Sequence, residues 1–255
     1  MNFTVKTAAA PLYAKPDKKS QWLDEVLHGM TVTAELDKGE WLYVRTSYRY
    51  MGWIERRHLY KAGPGFDHYI TVFAADVLAA PKVQAALLIC LTLGCVVRVI
   101  KEEVPGWTKI ALADDSTGYV RSAFLAPIIM PGTIKEAKRD IICQTAKLYM
   151  DVQYRWGGKT PYGIDCSGLC FMAYWLNGII IYRDACIKPD FSLKEISPNE
   201  AQKGDLLFFP GHVGMFLGED LMIHSSEAGC GVKIEPLTSE WKSRITAAAG
   251  QLLSS

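Results

Sequence analysis

Residues 154–168 read YRWGGKTPYGIDCSG, a glycine-rich loop that ends at a single cysteine, Cys166, and leads into an apolar run. The run predicts a helix that begins at or just before Cys166 and stops at Asn177-Gly178, a favoured C-terminal pair. A thiol attacks as the thiolate, and a helix N-terminus with a nearby imidazolium lowers its pKa from ~8.5 into roughly the 3.5–7.5 range. We therefore expect Cys166 to be a nucleophile with a lowered pKa, and a buried structural cysteine is the alternative.

Strand-like runs follow this helix at 206–209, 212–217, 221–224 and 232–234. Helices followed by a series of antiparallel strands are typical of an α+β domain. The middle two runs are separated by a short turn with Gly218 at its start, which predicts a hairpin. The chemistry of the chain should therefore lie in its last half.

Two histidines lie on the two runs of this hairpin. With the turn centred on Glu219, His224 lies opposite Gly214 and diagonal to His212, on the same face. Diagonal neighbours are about 7–8 Å apart at the backbone, within reach of aromatic rings. We expect His212 to accept the thiol proton and His224 to orient its ring, and a core position is the alternative for His224.

The other histidines and cysteines receive structural interpretations. We expect His28, His58 and His68 at surface or turn positions. The seven cysteines lack the paired short spacings of a zinc site, and their number suits a reducing compartment. Cys170 lies one helical turn beyond Cys166, but no further ligand is suitably spaced. We therefore expect core packing and no metal.

Composition excludes several classes of partner. The chain has 255 residues, a formal net charge of +1 and 49% hydrophobic residues, which is typical of a soluble globular protein. With no block of like charges, we expect no nucleic acid and no membrane as partner. The most apolar stretch, 85–100, is too short for a bilayer and predicts two strands around a turn. Residues 1–16 show no secretory signal, which predicts a cytoplasmic protein unless a signal was removed.

The first half contains an internal repeat. Residues 10–16 resemble 75–81, residues 28–32 resemble 93–97, and Gly52-Trp53-Ile54 matches Gly118-Tyr119-Val120. Short alternating apolar segments predict a small all-β barrel in each copy. Pro and Gly in 61–65 and 126–132 divide the chain into domains 1–62, 63–129 and 130–255.

Several ordered motifs carry a family resemblance: Tyr-x-Trp-Gly-Gly, Asp-Cys-Ser-Gly, Gly-Asp-Leu-Leu-Phe-Phe, His-Val-Gly-Met-Phe and Met-Ile-His-Ser. Over roughly 137–237 they resemble the NlpC-type cell-wall cysteine peptidase family, whose fold is papain-like. Each repeat resembles the bacterial SH3-like domain. The implied architecture is a papain-like α+β domain preceded by two SH3-like barrels, as in family members that cleave γ-D-glutamyl bonds during peptidoglycan turnover.

The resemblance implies an activity and its catalytic residues. It implies hydrolysis of the bond between γ-D-glutamate and meso-diaminopimelate or lysine, in murein peptides with a free N-terminal L-alanine. It makes Cys166 the nucleophile, His212 the base and His224 the orienting third member. It also implies that Tyr154 helps the Cys166 backbone N–H to bind the oxyanion.

The resemblance further implies residues that hold the substrate. Asp165 and Ser167 match positions that bind the free amino group, while Asp165 is equally expected to cap the helix. The first SH3-like domain of related enzymes supplies a tyrosine to the cleft. Tyr50 is our candidate, and Tyr48 or Tyr43 are alternatives. A tyrosine with only a core or surface role is a further alternative.

Arg183-Asp184-Ala185 resembles a further family segment, although Tyr182 stands where the family has proline. The resemblance implies substrate contacts from Arg183 and Asp184. It also implies a murein peptide as partner, no cofactor and a monomer. Two alternatives remain open: a wall-targeted hydrolase of polymeric peptidoglycan and a non-catalytic wall-peptide binding protein. An amidase or acyltransferase is a further possibility, since the triad specifies acyl transfer only.

Overall fold

The chain folds into two compact units, Met1–Ile128 and Ile129–Ser255. The computed structural model describes residues 1–61, 65–129 and 139–252. The predicted dividing stretches 61–65 and 126–132 lie partly outside these described residues. None of the helices in the described ranges has both the length and the apolar character needed to cross a bilayer.

The first unit contains one antiparallel sheet for each sequence repeat. The strands of the first sheet are β1 (Asn2–Val5), β2 (Ala9–Tyr13), β3 (Trp22–Leu27), β4 (Thr31–Lys38), β5 (Trp41–Thr46), β6 (Met51–Glu55) and β7 (Leu59–Lys61). The strands of the second are β8 (His68–Ile70), β9 (Ala75–Leu78), β10 (Leu87–Leu91), β11 (Val96–Val104), β12 (Trp107–Ala111), β13 (Thr117–Arg121) and β14 (Leu125–Pro127).

Both sheets have the same topology. Within the described residues the first has the order β3-β2-β6-β5-β4-β1-β7, and the second has the order β10-β9-β13-β12-β11-β8-β14. A short 3-10 turn precedes the last strand of each sheet, at Arg56–His58 and Ser122–Phe124. Adding seven to each strand number of the first sheet gives the strand order of the second sheet, as an internal repeat predicts.

Alternating side chains build the core of each sheet. In β5, Leu42 and Val44 are buried while Arg45 is exposed, the period of two that a half-buried strand requires. The apolar stretch 85–100 forms β10 and β11 around a turn, as predicted. Its first residues are not core, however, since Leu87 is 57% exposed.

His28 joins the two repeats. It lies in a turn, one of the two positions predicted for it, but it is not at the surface. Its side chain is only 1% exposed. Nδ1 lies 2.9 Å from the carbonyl oxygen of Lys6, and Nε2 accepts the Ala113 N–H at 3.2 Å. Beside it, a Cβ on Gly29 would lie 2.2 Å from the Val96 oxygen, so glycine allows the close approach. Burial lowers the pKa of His28 to about 4.

The second unit has a sheet with helices around it. The helices are α1 (Arg139–Lys147), α2 (Cys166–Trp175) and α3 (Ser239–Ser243). The strands are β15 (Lys159–Thr160), β16 (Gly163–Ile164), β17 (Leu193–Ile196), β18 (Leu206–Phe209), β19 (His212–Gly218), β20 (Leu221–Ser226), β21 (Gly231–Pro236) and β22 (Ala247–Leu252). In the described chain the larger sheet has the order β17-β22-β18-β19-β20-β21, and β15 pairs with β16.

The predicted secondary structure of this unit is largely confirmed. Helix α2 begins at Cys166, and the chain leaves it through Gly178, which has a φ of 76°. Strands β18 to β21 match the four predicted runs, whereas β17 and β22 were not predicted. Helix α2 packs against β19 and β20, and the opposite face of the sheet carries a second apolar core. That core contains Leu207, Phe209, Met222, Leu237 and Ala248.

The register of the β19–β20 hairpin brings its two histidines to one face. Met215 pairs with Ile223, so Gly214 and His224, each one step further from the turn, lie opposite each other as predicted. The turn itself has two residues with positive φ, Glu219 and Asp220, and a bulge precedes it. The turn is shorter than the three-residue turn centred on Glu219 that was expected. The bulge adds one residue to β19, so the pairing of Gly214 with His224 is retained.

The neutral His28 buried between the repeats predicts a pH-dependent stability. The folded protein holds this histidine with a pKa of about 4 against an ordinary 6.5, so only the unfolded chain binds the proton between these values. Stability is therefore complete above about pH 6.5 and falls as the pH drops towards 4. We expect wild type to lose ~2 kcal/mol more than His28→Gln between about pH 7.5 and 5.

Urea denaturation of the full chain at both pH values measures this difference. His68→Gln is the matched control, because this ring is partly exposed beside Asp67. It controls for the loss of an imidazole ring that is not buried between the repeats. An equal loss in wild type and His28→Gln would contradict the assignment.

Candidate active site

Asp165 organises the start of α2. Its Oδ1 accepts the Gly168 N–H at 2.6 Å, and its Oδ2 accepts the Gly157 N–H at 2.8 Å. The buried Arg183 guanidinium donates to the same carboxylate at 3.0 Å. A Cβ on Gly168 would lie 2.3 Å from the Gly158 oxygen, so the loop and helix touch only because this residue is glycine. The predicted helix cap at Asp165 is confirmed.

Cys166, the first residue of α2, is only 7% exposed. Backbone hydrogen bonds from Val213 and Ser167 favour its thiolate, and so does the Arg183 charge. Burial is the larger effect, and together with the Asp165 charge it raises the pKa of the thiol to about 11. The expected lowering of this pKa is therefore wrong for the substrate-free protein. The helix terminus does not outweigh the loss of water around the sulfur.

The two histidines of the β19–β20 hairpin are hydrogen-bonded, with His212 Nε2 and His224 Nδ1 2.8 Å apart. Beyond them, His224 Nε2 lies 2.9 Å from Glu235 Oε2. Burial lowers the pKa of His212 to about 4, with smaller contributions from His224 and Arg244. His212 is thus a neutral imidazole at physiological pH. Val213, the next residue along β19, directs its N–H at the Cys166 sulfur, which places this strand start beside the thiol.

The Tyr154 phenol belongs to the same site. Its backbone N–H donates to the Cys230 oxygen at 3.0 Å, and Tyr154 forms a bridge with Ile164 just before the helix. Burial, followed by the charges of Cys166 and Asp165, raises the pKa of Tyr154. The phenol therefore keeps its proton and can donate a hydrogen bond.

The residues predicted to bind substrate have different positions. Asp165 and Ser167 lie at the helix start, and Ser167 Oγ donates to Asp165 Oδ1 at 3.2 Å. Arg183 is 1% exposed and donates hydrogen bonds to the Asp165 and Ser167 side chains. It therefore stabilises the start of the helix from the protein interior. Tyr50 lies in the first unit, between β5 and β6, where its carbonyl accepts the Thr46 N–H.

Asp184 lines an open pocket beside the helix start. Ser167 and Val213 contribute to its wall, so it adjoins the thiol. Its remaining wall is apolar and aromatic with one cation, and includes Tyr182, Lys188, Phe191 and Phe208. A cleft of this kind suits a small ligand held by a few polar groups.

Sequence reasoning missed two residues of this site. Glu235 on β21 bonds to His224, and the Trp241 ring on α3 covers both histidines, with centroids 6.1 Å from His212 and 5.4 Å from His224. The spacing of Lys233 and Glu235 indicates that they share a face of a strand. The tertiary structure decides which strand pairs with β21. The sequence alone therefore could not predict that Glu235 bonds to His224. In the described part of the chain no three His, Cys, Asp or Glu side chains form a possible metal site.

The buried Asp165–Arg183 pair yields a stability prediction. Asp165→Asn removes the charge that compensates a fully buried guanidinium, which costs about 3–5 kcal/mol of unfolding free energy. Asp140→Asn is the matched control, since Asp140 is exposed and pairs with Lys203 at the surface, and should change stability by less than about 1 kcal/mol. Urea denaturation measures both. Equal stabilities of the two variants would show that Arg183 is compensated by other groups.

Comparisons with known proteins agree with this geometry. Dipeptidyl-peptidase 6 of Lysinibacillus sphaericus is 44% identical over an alignment of 254 positions that covers 93% of this chain and 92% of that protein. A gamma-D-glutamyl-L-lysine dipeptidyl-peptidase of Bacillus subtilis (strain 168) is 27% identical, covering 84% of this chain and 75% of that protein.

A crystal structure gives the same result for the fold. The structure of an NlpC/P60 family protein from Bacillus cereus ATCC 10987 covers 99% of this chain and 100% of its own, with a TM-score of 0.84 and 21% sequence identity. The model of the NlpC/P60 family matches residues 151–250, the segment that contains the thiol and both histidines. With one relative 44% identical along almost the whole length, this chain belongs to the NlpC/P60 family.

Proposed function

We propose that this chain is a cysteine endopeptidase that hydrolyses the bond between γ-D-glutamate and a diamino acid in murein peptides. The observation that carries the proposal is the Cys166 thiol at a helix start, beside a strand whose His212 is hydrogen-bonded to His224. Two relatives with dipeptidyl-peptidase names support the substrate class. The reaction serves peptidoglycan turnover and recycling.

The residues of the site divide the reaction between them. The neutral His212 ring takes the proton of Cys166 as the sulfur attacks the scissile carbonyl carbon. The carbonyl oxygen gains negative charge and is stabilised by the Cys166 backbone N–H and the Tyr154 hydroxyl. The carbon–nitrogen bond then breaks, and His212 gives the proton to the amine of the diamino acid. Water, activated by the same ring, hydrolyses the thioester.

Recognition of a free N-terminal amino group is the finer part of the proposal. Asp165 and Ser167 flank the nucleophile along the chain, and Ser167 Oγ donates to Asp165 Oδ1 at 3.2 Å. The carboxylate already accepts hydrogen bonds from Gly157, Gly168 and Arg183. An ammonium group therefore shares Asp165 with the helix cap, while Asp184 in the adjoining pocket supplies a second carboxylate.

The architecture around the catalytic domain is also part of the proposal. The two repeat sheets are SH3-like barrels with a role in substrate specificity, and Tyr50 of the first barrel is the candidate residue for that role. We propose that the enzyme acts as a cytoplasmic monomer on free murein peptides. Binding to insoluble sacculi would favour a wall-targeted hydrolase instead, and a sedimentation assay with purified sacculi distinguishes the two.

The proposed activity predicts a defined cleavage. Wild type should release L-Ala-D-Glu from L-Ala-γ-D-Glu-meso-diaminopimelate, and Cys166→Ala should release none, because the nucleophile is lost. Cys90→Ala in the second repeat should remain active. N-acetylation of the alanine should abolish cleavage, since it removes the ammonium charge. Mass spectrometry of the products measures all four reactions, and cleavage by Cys166→Ala would rule out thiol catalysis.

The Tyr154 hydroxyl provides a second prediction. Tyr154→Phe should lower kcat about 100-fold or more, because an oxyanion donor is lost while the thiol is retained. In the Tyr154→Phe variant, iodoacetamide should alkylate Cys166 at the wild-type rate. Tyr162→Phe, on an exposed ring of the same loop, is the matched control for steady-state kinetics. An unchanged kcat in Tyr154→Phe would exclude the hydroxyl from the oxyanion site.

A further inference from the structure

A hydrogen-bonded series continues past the two histidines to a carboxylate. His212 lies on β19, His224 on β20 and Glu235 on β21, three neighbouring strands. Met222 pairs with Glu235 and His224 pairs with Lys233, so Glu235 is the diagonal neighbour of His224 on the same face. The His224 Nε2–Glu235 Oε2 distance is 2.9 Å, and Lys233 Nζ lies 2.6 Å from the other carboxylate oxygen.

The carboxylate determines the proton positions on both rings. An ionised carboxylate only accepts hydrogen bonds, so His224 must carry its proton on Nε2 and donate it to Glu235. A neutral His224 then has a free lone pair on Nδ1, which accepts the Nε2–H of His212. His212 is left with an unprotonated Nδ1, the state that can accept a thiol proton. Through His224, Glu235 thus selects the reactive tautomer of His212.

Glu235 remains ionised in this position. Burial alone would raise the pKa of its carboxyl group, but the hydrogen bonds from Lys233 and His224 outweigh this and lower the pKa. The side chain is 29% exposed and so retains contact with water. An acceptor-only carboxylate is therefore the state present at neutral pH.

The same carboxylate compensates the charge that forms during the reaction. When His212 takes the Cys166 proton it becomes an imidazolium in a buried site, where burial, His224 and Arg244 all disfavour the charged form. Glu235 acts in the opposite direction on His212. The Trp241 ring lies against both imidazoles and limits the access of water, which strengthens this attraction.

We propose that Glu235 is a positioning residue of this active site, which fixes the tautomers of His224 and His212 and offsets the positive charge that His212 acquires. The proposal rests on the proposed peptidase function. In the step concerned, the Cys166 S–H bond breaks, its proton moves to Nδ1 of His212, and the sulfur electron pair forms the bond to the carbonyl carbon. The proton stays on His212 until the amine leaves, and the protons of His224 and Glu235 do not move.

A pair of variants separates this role from a structural one. Glu235→Gln and Lys233→Gln break the same ion pair, so a purely structural contribution predicts the same result in both. Our proposal predicts that Glu235→Gln lowers kcat about 100-fold with little change in KM. Lys233→Gln keeps the His224–Glu235 bond and should have a much smaller effect on kcat. Glu195→Gln, on the exposed face of β17, should behave as wild type.

The acid limb of kcat/KM provides a directional test. The charged groups that act on the two rings are Arg244, Lys233 and Glu235, and His224 acts on His212. Loss of the negative charge in Glu235→Gln lowers the pKa of the His212 imidazolium and moves the acid limb to lower pH. Loss of the positive charge in Lys233→Gln moves the acid limb to higher pH. Shifts in the same direction would overturn the proposal.

Nitrogen-15 NMR of the histidine rings tests the tautomers without any variant. Wild type should carry the proton on Nε2 of both His212 and His224 at neutral pH. A proton on Nδ1 of His212 would overturn the proposal even if the protein cleaves murein peptides. If wild type does not cleave the tripeptide, the proposed function fails, and the tautomers together with the rate of Cys166 alkylation still decide the role of Glu235.

Discussion

The buried Asp165 carboxylate is the constraint on which the rest of the site depends. It receives N–H groups from the loop at Gly157 and from the helix at Gly168, and it neutralises the guanidinium of Arg183. These bonds fix the loop that carries Tyr154 relative to the helix that carries Cys166. The proposed nucleophile and the proposed oxyanion donor are thereby held by one carboxylate, whose charge is compensated by a buried cation.

Burial determines the protonation states of Cys166 and His212. Removing water raises the pKa of Cys166 to about 11 and lowers that of His212 to about 4, so both groups are neutral before substrate binds. In the proposed reaction, charge separation is thus deferred to the moment when the sulfur attacks. It then relies on groups already in place: the backbone N–H groups of Val213 and Ser167 at the sulfur, and the His224–Glu235 series at the imidazolium.

Local sequence signals predicted most of the second unit. The period of side chains, the turn residues and the Asp165 cap gave helix α2, four strands and the register that places His212 and His224 together. Strand β22 could not be predicted, because its Ala-Ala-Ala-Gly run has little strand preference. Small residues are needed there, since a Cβ on Gly250 would lie 2.2 Å from the carboxyl carbon of Asp205.

The sequence by itself determined the repeat, the family motifs, the candidate nucleophile and the histidine pair, because each depends on spacing along one or two adjacent segments. Only the tertiary structure decided how deeply Cys166 is buried, which strand lies beside β20, and that His28 lies between two sheets. Burial and the contacts between distant segments set the local polarity and hydrogen-bond partners. The pKa values of Cys166 and His212 and the role of Glu235 follow from that polarity and those partners, which no short stretch of sequence contains.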